Sequence, residues 1–231
     1  MKIRTLLAGS LALLMAAALA VQAADGTITY SSTRGSSVSI EGTANMIHTT
    51  WWVKGTLIAG SLQVGPGFPT EPGQAVTPGK VQAQATNVFI RVKSLRSTEK
   101  DGKPYSDSMD DVMYDHFKAD KYPLISYRLK ELTLKEAPKS KDAPYVFDSM
   151  GELTIAGITK ALSMAVNVLP LEGKKLKITG STTVKMSDYK VGPVEKVIPV
   201  LNVGIKTGDA VKLDFEWMLM QRAPPKAAAS K

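Results

Sequence analysis

The chain has 231 residues, no cysteine, two histidines and a formal net charge of +8, with 44% apolar residues. That length supports one sizeable core, and the missing cysteines exclude disulfides, thiolate metal sites and a lipidated cysteine anchor. The lysines stand singly rather than in clusters with stacking aromatics, so the basic excess does not describe a nucleic-acid surface; it serves solubility, or the attraction of pyrophosphates or of anionic headgroups in transient contact with a membrane surface.

Met1-Lys2-Ile3-Arg4 is basic, Leu6 to Val21 is uncharged, and Val21-Gln22-Ala23 carries small residues where a signal peptidase reads. Residues 1–23 are therefore expected to be a cleaved signal peptide, which makes the periplasm the simplest address. Residues 24–220 are read as one β-domain and 221–231, with Pro224-Pro225 and three alanines, as a disordered tail.

Strand patterning begins at Val38 to Ala44 and continues from Trp51 to Leu62, where Gly55 and Gly60 mark bends. Gly65 to Gly73 is too rich in proline and glycine for a strand and reads as a surface loop. Val81, Ala83 and Ala85 lie on one parity and Val88, Ile90 and Val92 on the other, which requires a bulge near Thr86 or Asn87.

One helix is predicted from about Met109 to Lys118, capped by Ser108, with Met109, Val112, Met113, His116 and Phe117 as its apolar stripe. The neighbouring aspartates at 107, 110, 111, 115 and 120 lack the spacing of a calcium loop and read as a solvated face. Tyr122-Pro123 ends the segment, and Leu124 to Leu134 returns to strand character.

Tyr145 to Ile155 and Ile158 to Val168 form a predicted hairpin turning at Ala156-Gly157. The pairing sets Gly151 against Leu162, Ser149 against Met164 and Phe147 against Val166. Leu176, Ile178, Gly180, Thr182, Val184 and Met186 share the inner face of the next strand. An irregular stretch near Gly192-Pro193 leads to a turn at Gly208-Asp209, and Val211, Leu213, Phe215 and Trp217 then alternate with Lys212, Asp214 and Glu216.

About eight strands and one helix describe a mainly β antiparallel barrel or sandwich. His48 and His116 stand too far apart in sequence for a local metal motif, and neither a G-x-S-x-G elbow nor a dinucleotide fingerprint occurs, so neither an enzyme nor a cofactor is expected. Gly42, Ala44, Ala83, Ala85, Ser149, Gly151, Gly180 and Thr182 interrupt the bulky inner faces. Small residues there leave room for an apolar ligand cavity, or serve only to let the sheet curve.

Three stretches resemble the YceI-like family of periplasmic isoprenoid-binding proteins. They are Met109-Asp110, Met113 and Phe117 through Tyr127; Gly151 through Lys160; and Ser37 through Asn45 followed by Trp52. The resemblance spans most of Ser36 to Trp217 and implies a lipocalin-like, eight-stranded barrel with one short helix. It also implies a bound isoprenoid, a quinone or polyprenyl lipid, and no catalysis. This chain departs from the pattern in its Gly65 to Gly73 loop, its Pro138 to Pro144 segment, Ala156 in the hairpin turn and the His116-Phe117 pair.

The expected lining is Phe147, Leu162, Met164, Val166, Ile178, Val184, Val211, Leu213, Phe215 and Trp217. Met109, Val112, Met113 and Phe117 of the helix are expected to border an entrance. Two other readings share the alternation: an outer-membrane barrel with its apolar face outward, and an interaction module with a packed core. A homodimer is compatible with any of them.

Overall fold

The computed structural model describes residues 26–45, 49–198 and 203–223. The predicted signal peptide, His48 and residues 224–231 of the predicted tail lie outside them. The alternating segments form β1 (Ile28–Ser32), β2 (Ser37–Ala44), β3 (Thr50–Gly55), β4 (Ala59–Val64), β5 (Gly79–Lys80), β6 (Ala83–Arg91) and β7 (Arg96–Thr98). After helix α1 (Asp107–His116) come β8 (Leu124–Glu136), β9 (Tyr145–Ile155), β10 (Ile158–Leu171), β11 (Lys175–Lys185), β12 (Glu195–Ile198) and β13 (Val203–Gln221).

Eight of these strands close an antiparallel barrel in the order β1-β4-β6-β8-β9-β10-β11-β13, with β13 returning to β1. Closure removes the open edges that an antiparallel sheet would otherwise expose. The 19-residue β13 makes this possible. One of its edges pairs with β11 from Ala210 to Met220, while the other meets β1 at its C-terminal end and β2 further back. The chain steps from β1 to β2 around Gly35, where φ is +95°, and Ser36 Oγ accepts the Met218 amide hydrogen at 3.0 Å. From β2 the sheet extends through β3 to β7.

The β9–β10 register follows the predicted pairing, with Ile155 opposite Ile158, Gly151 opposite Leu162 and Tyr145 opposite Val168. Ala156 and Gly157 both have positive φ, +48° and +78°, as a two-residue hairpin turn of matching twist requires. Alanine is used because this methyl is buried in the core. The predicted bulge is also present: β4 advances from Ala59 to Ser61 while β6 passes from Phe89 to Thr86, and Asn87 takes φ +52°.

Three expectations need correction. The Gly65 to Gly73 segment is not merely a surface loop, because Phe68 is 2% exposed and stacks on Phe147 with ring centroids 5.8 Å apart. Gln74 Oε1 accepts from the Thr70 and Glu71 amides, and the Gln74 carbonyl accepts the Tyr145 hydroxyl at 2.6 Å, so the loop is folded into a plug at one barrel end.

The helix begins two residues earlier than expected, with Ser106 rather than Ser108 at its N-cap, and is turned so that Asp110, Met113, Tyr114 and Phe117 face the protein. Asp110, expected in solvent, is 4% exposed; it accepts the Ser97 amide hydrogen and faces Arg96. One helical turn on, the Tyr114 hydroxyl donates to the Leu95 carbonyl at 2.7 Å and accepts from Arg96. These polar contacts, not the apolar stripe alone, fasten α1 beside β7.

Finally, no turn interrupts the chain at Gly208-Asp209. Strand β13 runs through it with a register shift against β2 between Thr207 and Val211. Asp209 accepts from both the amide and the hydroxyl of Ser187, tying the bulged stretch to the turn after β11. The irregular stretch nearby is partly packed, with Tyr189 and Val191 buried.

The core has two parts. One surrounds the Phe68 plug with Tyr30, Leu134, Tyr145, Phe147 and Leu219. The other fills the opposite end with Val92, Leu95, Ile155, Met186 and Tyr189. Phe68→Ala is expected to lower stability by about 3–5 kcal/mol, since it leaves an aromatic-sized void, and urea unfolding will read the loss. Gly157→Ala is expected to cost at least about 1–2 kcal/mol in the same assay, from left-handed strain. Its added Cβ would also lie 2.5 Å from the Tyr122 ring.

Candidate functional site

Between the two core clusters the barrel keeps an internal cavity of about 140 Å³. Its wall is drawn from seven of the barrel strands, with Val38 of β2 and Ile58 at the turn before β4. No Lys, Arg, Asp, Glu or His is on that wall, and its polar side chains are Ser126, Tyr127, Ser149, Thr182 and Trp217. Trp217 turns its indole N–H away to Ser32 Oγ at 2.8 Å. What remains is an apolar chamber with a few hydroxyls.

Leu162, Met164, Val166, Ile178, Leu213, Phe215 and Trp217 lie together on this wall. The other residues expected to form the lining sit elsewhere. Phe147 lies under the plug, fully buried against Phe68. Val184 and Val211 belong to the opposite core, against which Met113 and Phe117 also pack. Val112 is half-buried on α1, and Met109 is 43% exposed. The helix therefore borders the far core rather than the chamber.

The small residues act differently from simple gaps. A Cβ on Gly42, Gly151 or Gly180 would fall 2.1, 2.3 or 2.6 Å from the side chains of Trp51, Tyr127 and Phe215 respectively, so each glycine is already covered by an aromatic residue. Of the eight small residues, only Ala85, Ser149 and Thr182 open directly on the chamber. The space is smaller than the count of small side chains suggests.

Several wall residues were not anticipated, among them Leu62, Val88, Tyr127, Leu129 and Leu132. Strand β8 hides its contribution because a bulge between Leu129 and Glu131 switches the inward parity from Ile125, Tyr127 and Leu129 to Leu132 and Leu134. The spacing of Leu129 and Leu132 was the available signal. Tyr127 reaches from β8 across Gly151 to share a 2.8 Å hydrogen bond with Ser149 Oγ. Burial pushes the Tyr127 hydroxyl above its ordinary value of 10.0, against a smaller opposing effect of the Ser149 bond, so it keeps its proton.

Such a wall can enclose and orient an uncharged molecule; it offers no charged acid, base or metal ligand. Among the described residues no three acidic, histidine or cysteine side chains cluster to hold a metal. The outer face is charged, with Lys130–Glu152, Lys135–Asp148 and Lys177–Glu216 pairs along the strands. A barrel that spans a membrane presents the reverse, an apolar band outward. No helix among the described residues is long and apolar enough to cross a membrane.

The model of the YceI-like domain matches residues 20–219. The chain belongs to the YceI-like family. No curated protein matches it. Solved structures similar in fold include two with a TM-score above 0.5. A polyisoprenoid binding domain from Saccharophagus degradans implicated in plant cell wall breakdown has a TM-score of 0.56 at 15% identity, covering 84% of this chain and 98% of that one. Burkholderia cenocepacia BcnA has a TM-score of 0.51 at 19% identity, covering 79% and 95%. At these identities the likeness is one of fold.

In this YceI-like chain, Gly180→Ala would drive a methyl into the Phe215 ring at the cavity wall. The substitution is expected to destabilise by about 1–3 kcal/mol through overpacking, and to change the emission of the neighbouring Trp217; unfolding followed by tryptophan fluorescence checks both.

Proposed function

We propose that this protein is a non-catalytic binding protein that takes a hydrophobic isoprenoid, a quinone or polyprenyl lipid, into its barrel and carries, stores or sequesters it in the periplasm. The observation that carries the reading is the chamber inside the barrel, with its uncharged, almost wholly apolar wall. Membership of the YceI-like family supports it, as does the fold shared with a domain described as polyisoprenoid binding. The basic, then uncharged, N-terminal segment supports export. Burial of an apolar chain contributes roughly 25 cal/mol per Å² before ordering costs.

The chamber is smaller than the roughly 300–1,000 Å³ of sites that hold drug-sized ligands. At about 140 Å³ it does not contain a long prenyl chain without moving its walls. Loading would therefore be coupled to rearrangement of flexible side chains such as Met164, or of the Phe68 plug, which rests on a loop rather than on a ladder of strand hydrogen bonds. The modest volume also favours a second reading, an interaction module whose barrel is simply packed.

Native mass spectrometry of protein purified without detergent, with organic extraction, separates the two. A stoichiometric isoprenoid is the expected result; a clean apo mass, unchanged after incubation with quinones and polyprenyl lipids, would leave the packed module. Phe215→Asp, which puts a charge on the wall, is expected to abolish uptake. Ala85→Leu, which fills space without charge, is expected to remain folded by circular dichroism and to reduce uptake at least about tenfold, the equivalent of about 1.4 kcal/mol.

A further inference from the structure

The barrel wall is not evenly joined. Strands β6 and β8 pair from Arg91 opposite Leu124 to Val88 opposite Tyr127, and there their ladder stops. The chain meets β8 again toward the plug end, where the Val81 amide donates to the Leu132 carbonyl at 3.0 Å and β5 pairs Lys80 with Thr133 and Gly79 with Leu134. Between these contacts, residues 82–87 run past residues 128–131 with no ladder pair. Each side of this seam bulges against its other neighbour: β6 takes up Asn87, with φ +52°, against β4, and β8 takes up Lys130 as an extra residue against β9. A bulge bends its strand and increases its twist, so the two together turn β6 and β8 apart.

The seam gives onto the chamber. Ala85 and Leu129 lie within it, Val88 and Tyr127 stand at one end and Leu132 at the other, and all of them are on the chamber wall. At the helix-side end the chamber also touches Phe89 and Ser126, a paired couple whose chain neighbours Val88, Ile90, Ile125 and Tyr127 face the core. Successive strand residues point to opposite faces. A space bordered by both parities of β6 and β8 therefore passes from the inner side of the sheet toward the outer one, whereas on β10, β11 and β13 the wall residues keep a single parity. Leu124, on the same outer face of β8 as Ser126, is 38% exposed, so the outer rim is apolar as well.

We propose that the β6–β8 seam is a lateral portal, through which an apolar chain passes between the chamber and the surroundings while both ends of the barrel stay packed. This rests on the proposed binding reading and adds the route. Widening the seam breaks no ladder pair along residues 82–87. Lifting the plug instead would expose Phe68, part it from the Phe147 ring and break the bond from the Tyr145 hydroxyl to the Gln74 carbonyl.

The chain has no cysteine, so an engineered pair reacts without competition. Gln84→Cys with Arg128→Cys sets one thiol on each side of the seam, at exposed positions off the chamber wall. A reducible bismaleimide bridges them in the full chain, with intact mass as the check. Gly73→Cys with Lys141→Cys pins the plug loop instead, because a Cβ at position 73 falls 3.5 Å from the Lys141 Cβ, within disulfide reach. Uptake of decylubiquinone is followed by quenching of tryptophan emission. The seam bridge is expected to slow uptake at least about tenfold, and reduction followed by desalting to restore it. The plug disulfide is expected to leave the rate unchanged.

Hydrogen exchange in the unmodified chain reads the seam without any substitution. Amides of residues 128–131 that face it are expected to exchange at least about tenfold faster than those of the β9–β10 ladder. Equal protection at the two places, a bridged protein that loads at the parent rate, or a plug disulfide that slows loading as much as the bridge does would each overturn the portal and leave the binding reading standing. A parent protein that takes up no decylubiquinone, even with a fast-exchanging seam, would overturn the two together.

Discussion

Barrel closure along β13 is the constraint on which the rest of the molecule depends. A strand of 19 residues is long enough to pair with β11 throughout and still serve two partners on its other edge, β1 near its end and β2 before that. Because side chains alternate with period two, this shared register decides at once which residues of three neighbouring strands turn inward. Ser36 stands at the handover, giving the Met218 amide an acceptor where no strand partner is available. Without that bond a buried backbone donor would be stranded at the seam.

Closure also explains why the chamber exists where it does. The plug end is filled by an inserted loop, and the helix end by the short helical turn after β11 and by the segments beside α1. Neither filling reaches the middle. There, Gly151 and Gly180 let Tyr127 and Phe215 lie flat against the wall instead of pointing across the barrel. A glycine beneath an aromatic ring repairs the sheet locally, and it keeps the ring out of the centre.

Much of this was legible in the sequence where the determining information is local. The β9–β10 register follows from alternation and a two-residue turn, and the β6 bulge follows from a change of parity that nothing else accommodates. What period two cannot give is height along the barrel axis. Val184 and Val211 pair opposite each other on inward faces, yet both lie in the helix-end core; Phe147 faces inward too, but beneath the plug. The glycines misled for a related reason, since the ring that covers each one comes from a neighbouring strand. Phe68 was invisible because a proline-rich loop gives no sign of which way its one aromatic residue turns. In α1 the apolar stripe and the true inner face differ by one residue, because Asp110 and Tyr114 find polar partners on the strand side.

For the proposed lipid ligand, the uncharged wall bears on the balance between barrel and bilayer. For a molecule already dissolved in lipid, the competing solvent is not water but hydrocarbon, in which its chain loses nothing by staying. Apolar contact with Leu162, Val166 or Ile178 therefore distinguishes poorly between barrel and bilayer. Transfer between them is close to a partition between two similar phases, with its direction set by relative occupancy and by whatever polar or shape-specific contact the chamber adds. Under the proposed function, a neutral interior would make that partition insensitive to salt, and would let one protein load from a rich membrane and unload into a poor one without an energy source.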